Sequence, residues 1–244
     1  MWRSASICSE VPRRRRSAAR LAAVLLLAAH ASRARAQGSV TGQLAIIDGP
    51  KVDRNDVHTA VVYLEPRGAT ARTTPIPDEL RATSIAMTQR EFVPHVRAVM
   101  PGAIVTFPNR DPFSHNVFSN AEPGAFDLGL YRRNVSKSAS FAHVGVYPVY
   151  CNIHSRMTSF VVAVPSALVV YPHADGRFAI PDVPPGTYVL HAWHERAGSI
   201  ARQIVVPATG LDVPRVVLDA RAYVPAPHLN KFGLPYAATR SDRY

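Results

Sequence analysis

The chain has 244 residues, 47% of them apolar, with 28 Lys and Arg against 17 Asp and Glu. That length and apolar share support one large or two small cores and exclude a disordered chain. Eight of the 28 basic residues and one of the 17 acids fall in residues 1–36, so the remainder carries 20 minus 16, or +4, which gives no case for nucleic-acid binding.

In chain order, residues 1–36 read as an export signal, with Arg13 to Arg16 as the basic region, Leu21 to Ala29 as the apolar region and Ala34-Arg35-Ala36 as the cleavage site. The apolar run is too short for a membrane span. The mature chain then starts near Gln37 and is expected in the periplasm, by the general or the twin-arginine route. Cys8 leaves with the signal, so Cys151 has no disulfide partner. A lone thiol in an oxidising compartment is a liability unless a metal holds it.

Ser39 to Ile47 and Val57 to Leu64 read as strands around a turn at Asp48-Gly49-Pro50, and residues 65–86, with Pro66, Gly68, Pro75 and Pro77, as a connection. Val93 to Val99 and Ala103 to Phe107 are strands joined at Pro101-Gly102, His115 to Phe118 is a short strand, and residues 119–138 are a long polar or mixed region. Ser140-Phe141 and Gly145 to Tyr150 lead into a loop at Cys151, which Ser159 to Val164 leaves as a strongly apolar strand. Ala167 to Tyr171, Arg177 to Ile180, Thr187 to Trp193, Ala201 to Val206 and Arg215 to Leu218 continue the rhythm, with turns at Asp175-Gly176 and Pro184-Pro185-Gly186. No amphipathic helix of useful length is predicted. Many short strands with regular turns predict an all-β protein built of β-sandwiches, and residues 221–244 read as an extended tail without its own core.

The Cys151 loop carries a thiolate, an imidazole at His154 and a thioether at Met157, with two residues between each. Adding His115 from a distant strand gives the donor set of a His₂Cys copper site with a weak axial Met. Soft and borderline donors suit both Cu(I) and Cu(II), so little rearrangement accompanies electron transfer. The competing readings are a Met that only packs and a Cys-His hydrolase; the latter lacks a nucleophile at a helix start and leaves Met157 without a task. His95 and His143 have no second ligand at short spacing and read as structural or solvent-facing, while alternation puts His191 and His194 on opposite faces of a strand.

Phe92 to Val164 resembles the cupredoxins, most closely the amicyanin-like blue copper proteins. The resemblance rests on Val105-Thr-Phe-Pro-Asn, on His115-Asn116-Val117, on the aromatic Tyr150 before the Cys and on the C-x-x-H-x-x-M loop. It implies a Greek-key β-sandwich with His115, Cys151 and His154 as equatorial copper ligands and Met157 as the axial one. It also gives Asn116 the task of tying the ligand loops together near the thiolate. Ser155-Arg156 departs from the family by placing a charge where relatives are apolar.

A second resemblance covers Val40-Thr-Gly-Gln-Leu, Val61-Val-Tyr-Leu-Glu and the run from Asp175 to Leu190, which look like two halves of a carboxypeptidase regulatory-like, transthyretin-like β-sandwich. The implied organisation is a split sandwich, 38–66 plus 166–220, with a copper domain at 87–164 inserted. The alternative is that residues 39–64 add strands to the cupredoxin. The function implied is non-enzymatic single-electron transfer through one type 1 copper ion, with redox proteins such as a dehydrogenase or cytochrome as partners. Relatives of this arrangement are described as methylamine-utilisation proteins, which makes a quinone-cofactor amine dehydrogenase an implied donor. The competing class is a copper carrier or an interaction module.

Overall fold

In the computed structural model of the chain the described residues are 38–48, 51–53, 56–68 and 75–236. The export segment, Gly49-Pro50 of the first turn and residues 237–244 of the tail lie outside them. The described residues start with β1 (Gly38–Asp48), β2 (Lys51–Asp53) and β3 (Val61–Pro66). In β1 the alternation of Val40, Leu44 and Ile46 turns apolar side chains to one face, as a half-buried strand requires.

Next come a single helical turn, α1 (Asp78–Arg81), and the short strands β4 (Ala82–Ser84), β5 (Ala86–Thr88), β6 (Glu91–Val93) and β7 (Val96–Val99). They are followed by β8 (Ala103–Pro108), β9 (His115–Ser119), β10 (Phe126–Tyr131), β11 (Ser136–Phe141), β12 (Gly145–Tyr150) and β13 (Thr158–Ala163). One sheet runs β10-β9-β12-β13-β7 and a second runs β11-β8-β4, with β5 and β6 paired beside them. Their facing side chains share one apolar core in which Ile85, Phe107, Val117, Phe141 and Tyr147 are prominent.

Two stretches differ from the sequence expectation. Residues 78–86 are not simply a connection, because Leu80 and Ile85 are buried and β4 pairs in parallel with β8. Runs of three residues are too short to show a period. Residues 119–138 hold β10 and the start of β11, an edge strand whose Ser136-Lys-Ser-Ala-Ser sequence is polar because most of it faces solvent.

The chain ends with β14 (Val169–Val170), β15 (Arg177–Val183), β16 (Gly186–His194), β17 (Gly198–Val206), β18 (Leu211–Asp212) and β19 (Val216–Asp219). These strands close on the first three. β15 pairs antiparallel with β1, while β18 and β19 pair in parallel with it. The facing sheet runs β14-β3-β16-β17. Between the two lies a core drawn from both ends of the chain, including Val40, Ile46, Leu64, Phe178, Tyr188 and Leu218. The β14–β15 turn passes so close to β1 that a Cβ on Gly176 would sit 2.1 Å from the Leu44 carbonyl oxygen, and its φ of +83° also selects glycine.

A third apolar cluster joins the two sandwiches. Val61 and Trp193 from the β3–β16 sheet pack with Val96, Ala98, Val162 and Val164 from the β7–β13 edge. The Tyr171 hydroxyl accepts from the Ala98 N–H at 2.6 Å, and His95 meets Glu195 at 2.8 Å. Among the described residues no helix is long and apolar enough to cross a membrane.

Candidate metal centre

β12 and β13 form a hairpin whose connection is residues 151–157. Tyr150 pairs with Thr158 at its base, the Cys151 N–H donates to the Met157 carbonyl at 3.2 Å, and the Met157 N–H donates to the His154 carbonyl at 3.1 Å. The loop is thereby closed on itself, with Cys151 and Met157 turned into the core. His115 opens β9 and is fully buried. Its Nδ1 lies 3.7 Å from the Cys151 sulfur, and the Nδ1 of His154 lies 3.6 Å from the same sulfur.

These three donors lie within 4.8 Å of one another and are the one such His, Cys or carboxylate group among the described residues. An ion about 2.3 Å from a thiolate and about 2.0–2.1 Å from an imidazole nitrogen needs N···S separations of about 3.6–3.8 Å at tetrahedral to trigonal angles. Both observed separations fall there, so the donor set fits a single first-row ion. Met157, at the closing end of the loop, is buried in the same apolar cluster as Cys151.

Supporting contacts fix the ligand side chains. The Nε2 of His115 binds Asp111 Oδ2 at 2.8 Å, which holds the proton on Nε2 and leaves the Nδ1 lone pair facing the sulfur. Asp111 accepts backbone N–H bonds from Gln89 at 2.6 Å and Arg90 at 2.9 Å. Burial pushes the Asp111 carboxyl up, but the bonds from Arg90, His115 and Gln89 outweigh it and hold the group below its ordinary range. Burial lowers His115 despite Asp111, keeping the ring neutral. Asn109 anchors the turn by donating its side-chain amide to the Phe113 and Tyr131 carbonyls. The Phe113 ring then meets His115 and His154 edge-on at 5.1 and 5.7 Å. Burial raises the Cys151 thiol, with the N–H groups of Ile153, Asn116 and His154 acting in the opposite sense.

The backbone N–H of Asn116 lies on the side of Cys151 that counters the effect of burial on the thiol. Its side-chain amide instead donates to Asp127 at 2.6 Å. The tail, which reads in the sequence only as an extended segment, also reaches the site. The Tyr236 hydroxyl donates to the Cys151 carbonyl at 2.6 Å, the Lys231 N–H donates to the Asn152 side-chain oxygen at 2.8 Å, and the Lys231 ammonium pairs with Asp127 at 2.5 Å. His228 stacks on Tyr150 at 4.3 Å. Burial first, and the charge of Cys151 second, push the Tyr236 phenol up, so it remains a donor. The visible signal for this contact was a His, a Lys and a Tyr within a short Pro-containing segment.

The other histidines have separate partners. His191 stacks on Tyr63 at 4.6 Å and binds Glu65 at 2.9 Å, whereas His194 is buried against Thr59 and Asp56. His143 is exposed.

No protein-family model and no curated protein matches the chain. Among solved structures, a purple cupredoxin from Nitrosopumilus maritimus aligns over 34% of this chain and 99% of its own at 21% identity, with a TM-score of 0.31. An amicyanin variant in its Cu(I) form and an oxidised amicyanin variant each align over 43% of this chain and 99% of their own, at 22% and 24% identity and a TM-score of 0.33. Each of these likenesses spans less than half of this chain.

Proposed function

We propose that the protein is a type 1 copper protein that carries single electrons between redox proteins and catalyses no substrate reaction. The observation that supports this most directly is the convergence of the Nδ1 atoms of His115 and His154 on the buried sulfur of Cys151, with Met157 in the same cluster. Copper bound there would supply the one-electron Cu(I)/Cu(II) couple. The chain's own part is to keep the donors fixed. Asp111 and Phe113 hold the imidazoles, the closed 151–157 loop holds thiol and thioether, and the core beneath excludes water. Donors that do not move keep the reorganisation accompanying electron transfer small. His154, half-buried beside exposed Ile153, is the ligand nearest to solvent and the entry point for electrons.

The same reading takes residues 1–36 as an export signal, places the mature protein in the periplasm, and treats the sandwich formed by 38–66 and 166–220 as a transthyretin-like carrier of the 87–164 copper unit. A dehydrogenase or cytochrome is the class of partner.

The test is Cu(II) addition to purified protein, followed by visible spectroscopy and voltammetry. An intense visible thiolate-to-copper band with a reversible one-electron wave is expected. A colourless complex that exchanges metal without redox activity would assign a copper carrier instead.

A further inference from the structure

We infer that the ligand-loop end of the copper sandwich is a basic docking rim for the acidic surface of a redox protein; this rests on the electron-transfer reading above. Strand directions place residues 89–90, 109–114, 132–135 and 151–157 at one end, because β8, β10 and β12 finish there and β9, β11 and β13 start there. Within these loops Arg90, Arg110, Arg132, Arg133 and Arg156 are exposed, and none has a salt bridge among the described residues. The single acid in the same loops, Asp111, is buried and occupied by His115, so five positive and one negative charge leave +4. At the opposite end, residues 100–102, 120–125 and 142–144 carry Glu122 as their one Asp, Glu, Lys or Arg.

The rim surrounds the metal donors. Arg156 is two residues from His154, and the Arg90 guanidinium lies 5.1 Å from the centre of the Phe113 ring, which touches both histidines. The Arg132–Asn134 turn is tied to the His115 loop by the Asn134 N–H donating to the Asn109 carbonyl at 2.8 Å. Unpaired guanidiniums spread over several loops and held around an electron entry point raise the encounter rate with an anionic partner and orient it. A redox protein is favoured over nucleic acid because the charge is centred on the metal donors and includes an apolar contact, Ile153, which is 43% exposed.

Two measurements on the full chain test this. In stopped flow on the copper-loaded protein, hexacyanoferrate should react about tenfold faster at low salt than at 0.3 M, while a cationic hexaammineruthenium reagent should show the opposite trend. Combined Arg110→Glu, Arg132→Glu and Arg133→Glu should flatten or invert both trends without moving the visible band. Salt-independent rates for both reagents with the band intact would overturn the rim and leave the copper reading standing. Absence of the band would overturn the copper reading itself. For the metal-free protein, NMR titration with polyglutamate at low salt should shift amides in these loops and lose the shifts at 0.3 M. Shifts spread evenly over the surface, or tighter binding of a DNA oligonucleotide at equal salt, would overturn the proposal of an acidic protein partner.

Discussion

Burial holds the Cys151 thiol above its ordinary value, so the thiolate at this position is stabilised only when a cation shares the pocket. Cys151→Ala is therefore expected to abolish the visible copper band completely, since no other cysteine is present among residues 37–244. A surviving band in absorption spectra of the variant would refute the site. Met157 has a subtler role. A thioether is a soft donor favouring Cu(I), so Met157→Gln, with a harder amide oxygen, should lower the reduction potential and Met157→Leu should raise it. About 59 mV corresponds to tenfold in a one-electron equilibrium, so voltammetry resolves even a modest change. Unchanged potentials in both variants would make Met157 a packing residue.

Among the elements, the tail is the one whose role can be removed cleanly. Residues 228–236 touch the site at Tyr150, Cys151 and Asn152 and reach Asn116 through Lys231 and Asp127. A chain ending at Ala222 should keep its copper band but release copper to a chelator about tenfold faster, in the range found when supporting contacts of metal ligands are lost. Equal release rates would show that the tail only rests on the surface. Such contacts leave no period in a sequence, which is why the tail read only as extended. The 151–157 loop was legible because its three donors are local, and β16 was legible from its apolar run after Pro-Pro-Gly. Polar β11 was not, since an edge strand gains its place from backbone bonds to β8 rather than from its side chains. Asp111 was in view four residues before His115, but only the fold shows it as the partner of Nε2.

For the whole molecule, the seam between the sandwiches decides how independent they are. β13 and the residue after it are apolar on both faces: Val161 and Ala163 serve the core around Cys151, whereas Val162 and Val164 meet Trp193 and Val61. Trp193→Ala should cost about 3–5 kcal/mol and split a single urea transition into two, read by tryptophan-independent circular dichroism and by the copper band. One coincident transition in the variant would show that the seam does not couple the two units. The His95–Glu195 pair crosses the same boundary. Burial lowers the His95 pKa, but the hydrogen bond and charge of Glu195, with the Thr158 carbonyl and Asp56, outweigh it and raise it above 6.5. A raised histidine stabilises the fold fully below its unfolded value, and the contribution fades as pH climbs through the folded one. The stability advantage of wild type over His95→Gln should thus be largest in mild acid and shrink above neutrality. Partial exposure of the pair keeps that advantage small. A gap in denaturation midpoints that stays constant with pH would contradict this.

The pairing of β1 has a consequence in time. Its partners on β15 begin 134 positions later, from Gln43 to Arg177, and those on β18 and β19 come later still. As the chain is synthesised from its first residue, all strands from β4 to β13 become available before any of these partners. β2 can cover Ile46–Asp48 of β1 at once, but the rest of β1 and the whole of β3 must wait unpaired while the 87–164 sandwich is already able to close. Such waiting strands are templates for pairing with another chain, so the vulnerable period of this molecule's birth ends only when β19 arrives.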